Sequence, residues 1–259
     1  MRILITNDDG ILAPGIAVLA NVAADFGDVV VVAPDRERSA CGHAFTMRNP
    51  IRVREVEGLG LEAYACDGVP TDCVNFAYYQ LLNGELDLVL SGINSGPNLG
   101  FDATYSGTVA AAMEGAINGV RSIAVSLAMF VEPGPAYWDT ADRWLRENLG
   151  AMLRMPFPEL AFYNVNIPSI AYDEVRGTRF ARMGLRVYEN RFEKRLDPYG
   201  NAYYWQGSSA HMQAAEPNTD LRAVSDGFVS VTPMSLDWTR HTSLDEAHQA
   251  FFSRSSQPV

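Results

Sequence analysis

The sequence predicts an α/β fold, a Rossmann-like and mostly parallel sheet with helices on both faces, followed by a C-terminal arm of β-hairpin and helix. Two observations support this. Over the first two thirds of the chain, short apolar segments alternate with longer ones whose apolar residues recur at helical spacing, which is typical of βαβ units. Beyond residue 166 this alternation stops. The 259 residues are enough to bury the core of such a domain.

Each strand of the predicted sheet has a local signal. Short segments rich in valine, isoleucine and leucine predict buried strands. In chain order they are residues 3–6, 29–33, 51–56, 61–66, 86–90, 123–127 and 161–165. The third and fourth segments are separated by a glycine-containing turn, so they predict a hairpin added to the sheet.

Helices are predicted where apolar residues recur every three or four positions. They are residues 14–26, residues 70–83, a helix that begins near Ser106, residues 138–153 and residues 244–252. Pro14 suits a first helical turn, and Gly27 and Gly84 suit helix ends. A glycine-dense loop over residues 91–104 precedes the third helix.

The C-terminal part predicts an arm rather than further βα units. Segments at residues 179–188 and 203–205 flank a turn-rich stretch at 197–201 and predict a hairpin, and residues 228–231 predict one more strand. We therefore expect two parts, which can also be counted as one domain over 1–259: a Rossmann-like core at 1–182 and a C-terminal arm at 183–259.

Charge and composition exclude several classes of protein. The formal charge of -11, from 20 Lys+Arg and 31 Asp+Glu, argues against binding to nucleic acid or to an anionic membrane. Three cysteines without a Cys-x-x-Cys pair fit a reducing compartment. Two acids at positions 8 and 9 leave no room for a signal peptide, and no apolar run is long enough to span a bilayer. We expect a cytoplasmic protein.

Polar residues follow three of the predicted parallel strands, and such strand ends converge at one edge of the sheet. Asp8 and Asp9 follow the first strand, Ser39 lies after the second, and Asn94 follows the strand at 86–90. Adjacent carboxylates repel each other unless a cation lies between them. All these donors are hard oxygens, which suit Mg²⁺ or Mn²⁺. The alternative is a simple turn at Asp8-Asp9-Gly10 that caps the next helix.

A second candidate site lies where the third helix begins. Tyr105-Ser106-Gly107-Thr108 places backbone N–H groups, hydroxyls and the positive end of the helix dipole at one edge, which favours phosphate. An ordinary N-cap is the alternative. Arg36 and Arg38 are candidates for contact with phosphate or base and His43 for a general acid, although solvated loop charges and simple packing explain them as well. The sequence contains no P-loop or dinucleotide fingerprint.

Several ordered motifs together resemble one known family. They are Asn7-Asp8-Asp9-Gly10, Ala33-Pro34-Asp35-Arg36 with Ser39, Ser91-Gly92-Ile93-Asn94 with Gly96 and Asn98, Tyr105-Ser106-Gly107-Thr108-Val109, Thr219-Asp220, Gly227 and Val229-Ser230-Val231-Thr232-Pro233. These motifs resemble those of SurE-type (survival protein E) 5'/3'-nucleotidases. The resemblance extends over nearly the whole chain.

The resemblance implies a metal-dependent phosphohydrolase that releases phosphate from nucleoside 5'- and 3'-monophosphates and, in some members, trims short polyphosphate. It implies one divalent ion (Mg or Mn) per subunit, and a homodimer or homotetramer formed through the C-terminal arm. The residues that the resemblance assigns to the ion are Asp8, Asp9, Ser39 and Asn94. Those that it assigns to the phosphate are Asn98, Ser106, Gly107 and Thr108.

The mechanism expected from these residues is hydrolysis by a water that the metal activates. Asp8 or Asp9 would orient that water with Asn94 as the third catalytic residue, and the helix start at Ser106 would stabilise charge on the phosphoryl group. One alternative is an aspartyl-phosphate phosphatase with Asp8 as nucleophile, against which Gly10 counts because such enzymes place a second acid there. Another is a non-catalytic nucleotide or metal sensor.

Overall fold

A computed structural model describes residues 1–58, 60–129, 135–185, 187–211 and 216–253. The strands are β1 (Arg2–Thr6), β2 (Asp28–Pro34), β3 (Val53–Glu55), β4 (Glu62–Cys66), β5 (Leu88–Ser95), β6 (Arg121–Ala128), β7 (Ala161–Pro168), β8 (Thr178–Phe180), β9 (Val187–Leu196), β10 (Ala202–His211) and β11 (Val229–Ser235). The α-helices are α1 (Pro14–Ala23), α2 (Pro70–Phe76), α3 (Gly107–Ile117), α4 (Trp138–Met152), α5 (Asp220–Ser225) and α6 (Leu244–Ser253). A π-helical turn lies at Ala77–Leu81, and 3-10 turns lie at Gly100–Thr104, Tyr172–Glu174 and His241–Ser243.

Most of the strands form a single sheet, in the order β3-β4-β2-β1-β5-β6-β7-β11-β8. The six strands from β4 to β7 in that order are parallel neighbours, whereas β3 runs antiparallel to β4 and β11 runs antiparallel to β7. The predicted hairpin of β3 and β4 is thus present at the sheet edge. The predicted α/β fold with a mostly parallel sheet is confirmed.

Helices cover both faces of the sheet. On one face, Ile5 of β1 belongs to a core that includes Leu19 of α1 and Leu145 of α4. On the other face, Leu4 packs in a second core with Ala111 of α3. Because successive side chains of a strand point to opposite faces, a strand covered on both sides has to be apolar throughout. This is why β1 reads as a continuous apolar run.

Several predicted boundaries in the first half differ from the observed ones. The helix predicted over 14–26 ends at Ala23. The helix predicted over 70–83 is α-helical only to Phe76 and continues as the π-helical turn. The strand predicted at 86–90 extends to Ser95, through a glycine that suggested a loop. Gly92 has a φ of +138°, and a Cβ there would lie 2.2 Å from the carbonyl oxygen of Val125 on β6. The glycine therefore permits close pairing across an irregular register instead of ending the strand.

The predicted C-terminal hairpin begins at the wrong residue. Of the segment 179–188, the first residues lie in β8, which pairs with β11 in the main sheet, and the hairpin itself consists of β9 and β10. The predicted turn is present, since the N–H of Asp197 donates to the carbonyl of Asn201 at 2.9 Å. Helix α5 was not predicted. Neither three-residue β8 nor six-residue α5 is long enough to show a hydrophobic period.

The division of the chain at residue 182 stays a prediction. Helix α5 and β11 come from the second predicted part, yet β11 pairs with β7 of the main sheet over residues 230–235. Among the described residues, β9 and β10 pair only with each other. No helix in the described ranges is long and apolar enough to cross a membrane.

A glycine sets the distance between α1 and β5. A Cβ on Gly15 would lie 1.9 Å from the carbonyl oxygen of Ile93. Alanine must therefore push α1 away from the sheet, although it favours helix by about 1 kcal/mol over glycine. We expect Gly15→Ala to lower the free energy of unfolding by roughly 1–3 kcal/mol in urea titrations. Gly150→Ala in α4, where the nearest atom lies at 3.4 Å, is the control. Equal losses in both variants would contradict this explanation.

Candidate active site

The chain turns sharply after β1, and this turn carries the two acids. Asn7 is fully buried and closes the turn, since its Nδ2 donates to the carbonyl of Gly10 at 2.9 Å and its Oδ1 accepts the N–H of Gly10 at 3.2 Å. Gly10 adopts a φ of +101°, which residues with a Cβ rarely adopt. The turn presents Asp8 and Asp9 at the carboxyl edge of the sheet, as the strand-end rule predicts.

Asp8 is only 4% exposed and contacts the start of α3. The hydroxyl of Thr108 donates to Asp8 Oδ1, and the backbone N–H groups of Gly107 and Thr108 also bind the carboxylate. The fit depends on Gly107, because a Cβ there would lie 2.8 Å from Asp8 Cβ. Burial raises the pKa of Asp8, while the hydrogen bonds from α3 act in the opposite direction.

Asp9 and Asn94 are held by the end of β5. Asp9 Oδ2 accepts the N–H of Ser95 at 2.9 Å. Asn94 Nδ2 donates to the carbonyl of Gly96 at 2.9 Å, and its Oδ1 lies 3.4 Å from the hydroxyl of Thr108. An amide nitrogen only donates hydrogen bonds, so the lone pairs that Asn94 can offer to a metal ion are those of Oδ1. Asn94 thus offers an oxygen on the same side as Asp8.

The loop after β2 brings Ser39 to the same edge but turns Arg38 away. Ser39 Oγ donates to Glu37 Oε1 at 2.6 Å. The N–H of Arg38 donates to the carbonyl of Asp8 at 2.7 Å, whereas its guanidinium donates to the carbonyl of Asp67. Arg38 therefore holds the loop, and its charge does not line the cleft described below.

Arg36 and His43, the other two candidates of this loop, also lie apart from the acids. The side chain of Arg36 is 66% exposed, and its Nε lies 3.9 Å from Asp35. His43 Nε2 lies 2.8 Å from Glu114 Oε2, and His43 lines a separate cavity of about 420 Å³ whose walls are mostly apolar. The described structure thus gives neither residue a contact with the acidic cleft.

One cleft of about 510 Å³ brings together six of the eight predicted site residues, all except Gly107 and Thr108. It is lined by Asp8, Asp9, Glu37, Ser39, Ala40, Asn94, Ser95, Asn98, Asp102, Tyr105 and Ser106. Four of these described lining residues are acids and none is lysine or arginine. The charged side chains among these lining residues are all negative, so they would repel a phosphate dianion unless a cation were bound between them.

The chemistry of the donors fits a hard divalent ion. Among the described residues, no three His, Cys, Asp or Glu side chains are grouped closely enough to hold a metal. The ion would therefore depend on the carboxylates of Asp8 and Asp9 together with the neutral oxygens of Ser39 and Asn94. Mg²⁺ is typically bound by one or two carboxylates and keeps several waters, so this sparse donor set suits it.

The start of α3 and Asn98 form the other side of the cleft. Ser106 is the N-cap, since its Oγ accepts the N–H of Val109 at 3.1 Å. Asn98 is 7% exposed, and its Nδ2 donates to Ser126 Oγ at 2.9 Å. Both Ser106 and Asn98 line the cleft. Gly107 and Thr108 contact Asp8. The residues predicted to bind phosphate therefore lie next to the predicted metal ligands.

Sequence analysis missed two of the acids that line the cleft. Glu37 lies in the loop after β2, and Asp102 lies in the 3-10 turn between β5 and α3. Both belong to loops at the carboxyl edge of the sheet, so the strand-end rule includes their positions but does not say which side chains point inward. Sequence analysis also did not single out Asn164 and Asn166 of β7, two buried residues whose side chains form hydrogen bonds with the backbone of Asn98.

Comparisons with known proteins agree with the geometry. Residues 3–190 match the family model described as Survival protein SurE. The chain is 43% identical over 259 residues to the 5'-nucleotidase SurE of Trichormus variabilis, which covers 95% of this chain and 97% of that protein. It is 46% identical over 247 residues to the 5'-nucleotidase SurE of Gemmatimonas aurantiaca, with coverages of 95% and 96%.

A solved structure is similar over almost the same length. The crystal structure of the SurE protein from Aquifex aeolicus matches with a TM-score of 0.84 and 40% sequence identity, and the match covers 97% of this chain and 100% of that one. Fold, family model and curated relatives all point to one family over most of the sequence. The chain belongs to the SurE family.

Proposed function

We propose that the protein is a metal-dependent phosphohydrolase that releases phosphate from nucleoside 5'-monophosphates. One observation carries the proposal: an acidic cleft without basic side chains among its described residues opens onto the N-terminus of α3. A metal ion and a phosphate can bind side by side there. The names of the curated relatives support nucleotides as substrates. The proposal extends to nucleoside 3'-monophosphates and short polyphosphate, because the reacting phosphoryl group is the same.

The proposed ligands of one Mg²⁺ or Mn²⁺ per subunit are Asp8, Asp9, Ser39 and Asn94. When bound, the ion supplies Lewis-acid polarisation of a phosphoryl oxygen and a lower pKa for a water. Thr108 keeps Asp8 in place, because its hydroxyl already donates to that carboxylate. Asp9 is half-buried with one oxygen engaged by Ser95, so its carboxylate is oriented by the backbone.

In this proposal the phosphate binds at the N-terminus of α3. Ser106 and Asn98 face the cleft directly. Because Gly107 has no side chain, its backbone can lie directly against Asp8. The positive end of a helix stabilises an anion by roughly 0.3–1 kcal/mol, whereas a divalent ion supplies several kcal/mol. The ion therefore dominates catalysis, and the helix start refines the position of the phosphate.

We also propose a cytoplasmic homodimer or homotetramer formed through the C-terminal arm. In the described ranges, β9 and β10 pair only with each other and present large apolar side chains to solvent. Phe192 is 66% exposed, Trp205 is 60% exposed, and Phe251 of α6 is 74% exposed. Exposed apolar surface of this kind is typical of an interaction face. The three free cysteines are consistent with a reducing compartment.

Phosphate release from a panel of nucleotides tests the proposal. With Mn²⁺ or Mg²⁺ present, we expect repeated turnover of nucleoside 5'-monophosphates and release from 3'-monophosphates. Binding of nucleotide without release of phosphate would contradict the proposal and indicate a sensor. A covalent phosphoenzyme, or a beryllofluoride adduct on Asp8, would contradict direct attack by water and indicate an aspartyl-phosphate intermediate.

A further inference from the structure

Strand β7 carries two asparagines in the middle of the sheet, where apolar residues are the rule. Asn164 is 1% exposed and Asn166 is fully buried. They are two residues apart, so both side chains lie on the same face of the strand. A buried amide is costly unless its donors and acceptors are paired. The groups that these amides contact therefore indicate what the asparagines do.

Both amides converge on the backbone of Asn98, in the loop of residues 96–99 between β5 and the 3-10 turn. Asn166 Oδ1 accepts the N–H of Asn98 at 2.8 Å, and Asn166 Nδ2 donates to the carbonyl of Asn98 at 3.1 Å. Asn164 Nδ2 donates to the same carbonyl at 2.8 Å. Only one orientation of the Asn166 amide matches an acceptor to the N–H and a donor to the carbonyl. The side chain thus pairs with the loop as a neighbouring strand would.

The side chain of Asn98 is held as well. Its Nδ2 donates at 2.9 Å to the hydroxyl of Ser126, a fully buried residue of β6 that lies beside Asn166 in the sheet. Backbone and side chain of Asn98 are therefore fixed to two adjacent strands. We call Ser126, Asn164 and Asn166 the Asn98 clamp.

We infer that the three residues of the Asn98 clamp are positioning residues of the phosphate site and act through Asn98. This inference rests on the proposed function, in which Asn98 faces the phosphate. A loop gains the accuracy that catalysis needs when rigid elements hold it, and misplacement by about 1 Å can cost roughly 10²-fold in rate. The clamp supplies that rigidity from the sheet, since Asn98 itself lies outside any strand or helix.

The same sheet supplies matched controls. Ser230 and Thr232 of β11 lie directly opposite Asn166 and Asn164. They are equally buried, and their hydroxyls have no hydrogen-bond partner among the described residues. Substitutions there change the same layer of the core without removing a contact to Asn98. Ser230→Ala and Thr232→Val therefore report on packing alone.

A double-mutant cycle separates positioning from packing. We expect Asn166→Leu to lower kcat for a nucleoside monophosphate roughly 10- to 100-fold, and Ser230→Ala to leave kcat within about twofold. In an Asn98→Ala background, Asn166→Leu should lower kcat no further. Ser126→Ala, which adds no bulk, gives the same test if the leucine variant does not fold. Effects that multiply in the Asn98→Ala background, or an equal loss in Ser230→Ala, would overturn the inference.

Amide hydrogen exchange gives a readout that does not need enzyme activity. We expect exchange at the Asn98 N–H to rise at least roughly tenfold in Asn166→Leu, because that N–H loses its acceptor, and to stay unchanged in Ser230→Ala. Unchanged exchange at Asn98 in Asn166→Leu would overturn the clamp. If the wild-type protein releases no phosphate while this exchange pattern holds, the proposed function fails and the clamp on Asn98 stands.

Discussion

Replacing Asp9 with asparagine is expected to lower turnover by on the order of 10³-fold, about 4 kcal/mol at the transition state, with the fold intact. Asparagine has nearly the same shape and keeps an oxygen to accept the N–H of Ser95, which Asp9 binds at 2.9 Å. What it lacks is the negative charge. The loss of activity would therefore measure the contribution of the charge to holding the metal ion and orienting the water.

Asp9 is a cleaner test than Asp8. Asp8 accepts hydrogen bonds from Thr108 and from the backbone of α3, so an amide at position 8 would place its NH₂ group against donors. The position of α3 would change together with the charge. Asp9 is half-buried, and its Oδ2 accepts the backbone N–H of Ser95 on β5, a contact that asparagine can keep through its own oxygen.

The measurement is kcat for a nucleoside 5'-monophosphate in excess Mn²⁺, with urea unfolding as the check on the fold. Asp173→Asn is the matched control, because the side chain of Asp173 is 95% exposed and lies outside the cleft. We expect it to keep normal activity. Near-normal turnover by Asp9→Asn under these conditions would refute the role of Asp9 in metal binding.

The sequence was informative about the site wherever a parallel strand ends. A buried apolar run followed by polar residues identifies the carboxyl end of a strand, and the ends of neighbouring parallel strands must meet. This reasoning selected Asp8, Asp9 and Asn94, and the structure brings all three to one cleft. Ser106 was found by a different signal, a capping residue before an apolar stripe. Their catalytic roles stay predictions.

Features that depend on distant pairing were not visible in the sequence. Gly92 suggested a loop because local signals cannot show that β6 approaches closely enough to exclude a Cβ. Asn164 and Asn166 interrupt the apolar pattern of β7, and their partner lies about 66 residues earlier in the chain. Strand β8 owes its place to pairing with β11 and not to its own composition.

Removing the divalent ion is expected to abolish phosphate release, and adding Mn²⁺ or Mg²⁺ back is expected to restore it. The reason lies in the charge of the cleft, which is lined by Asp8, Asp9, Glu37 and Asp102 and by no basic residue among those described. Two unit charges 4 Å apart interact by about 4 kcal/mol at an effective dielectric constant of 20. Without a cation, several such repulsions would oppose the entry of a phosphate dianion.

The experiment compares phosphate release and thermal unfolding before and after a chelator is added. An ion at 100 times its dissociation constant stabilises the folded protein by about 2.7 kcal/mol, so Mn²⁺ should raise Tm by several degrees in the wild type. The increase should be much smaller in Asp9→Asn, because one carboxylate ligand is lost, and unchanged in Asp173→Asn. Full activity in the chelator, or equal shifts in Tm for the wild type and Asp9→Asn, would contradict a metal ion held by these carboxylates. The shift in Tm also separates a failure of metal binding from a failure of catalysis, since it requires no substrate.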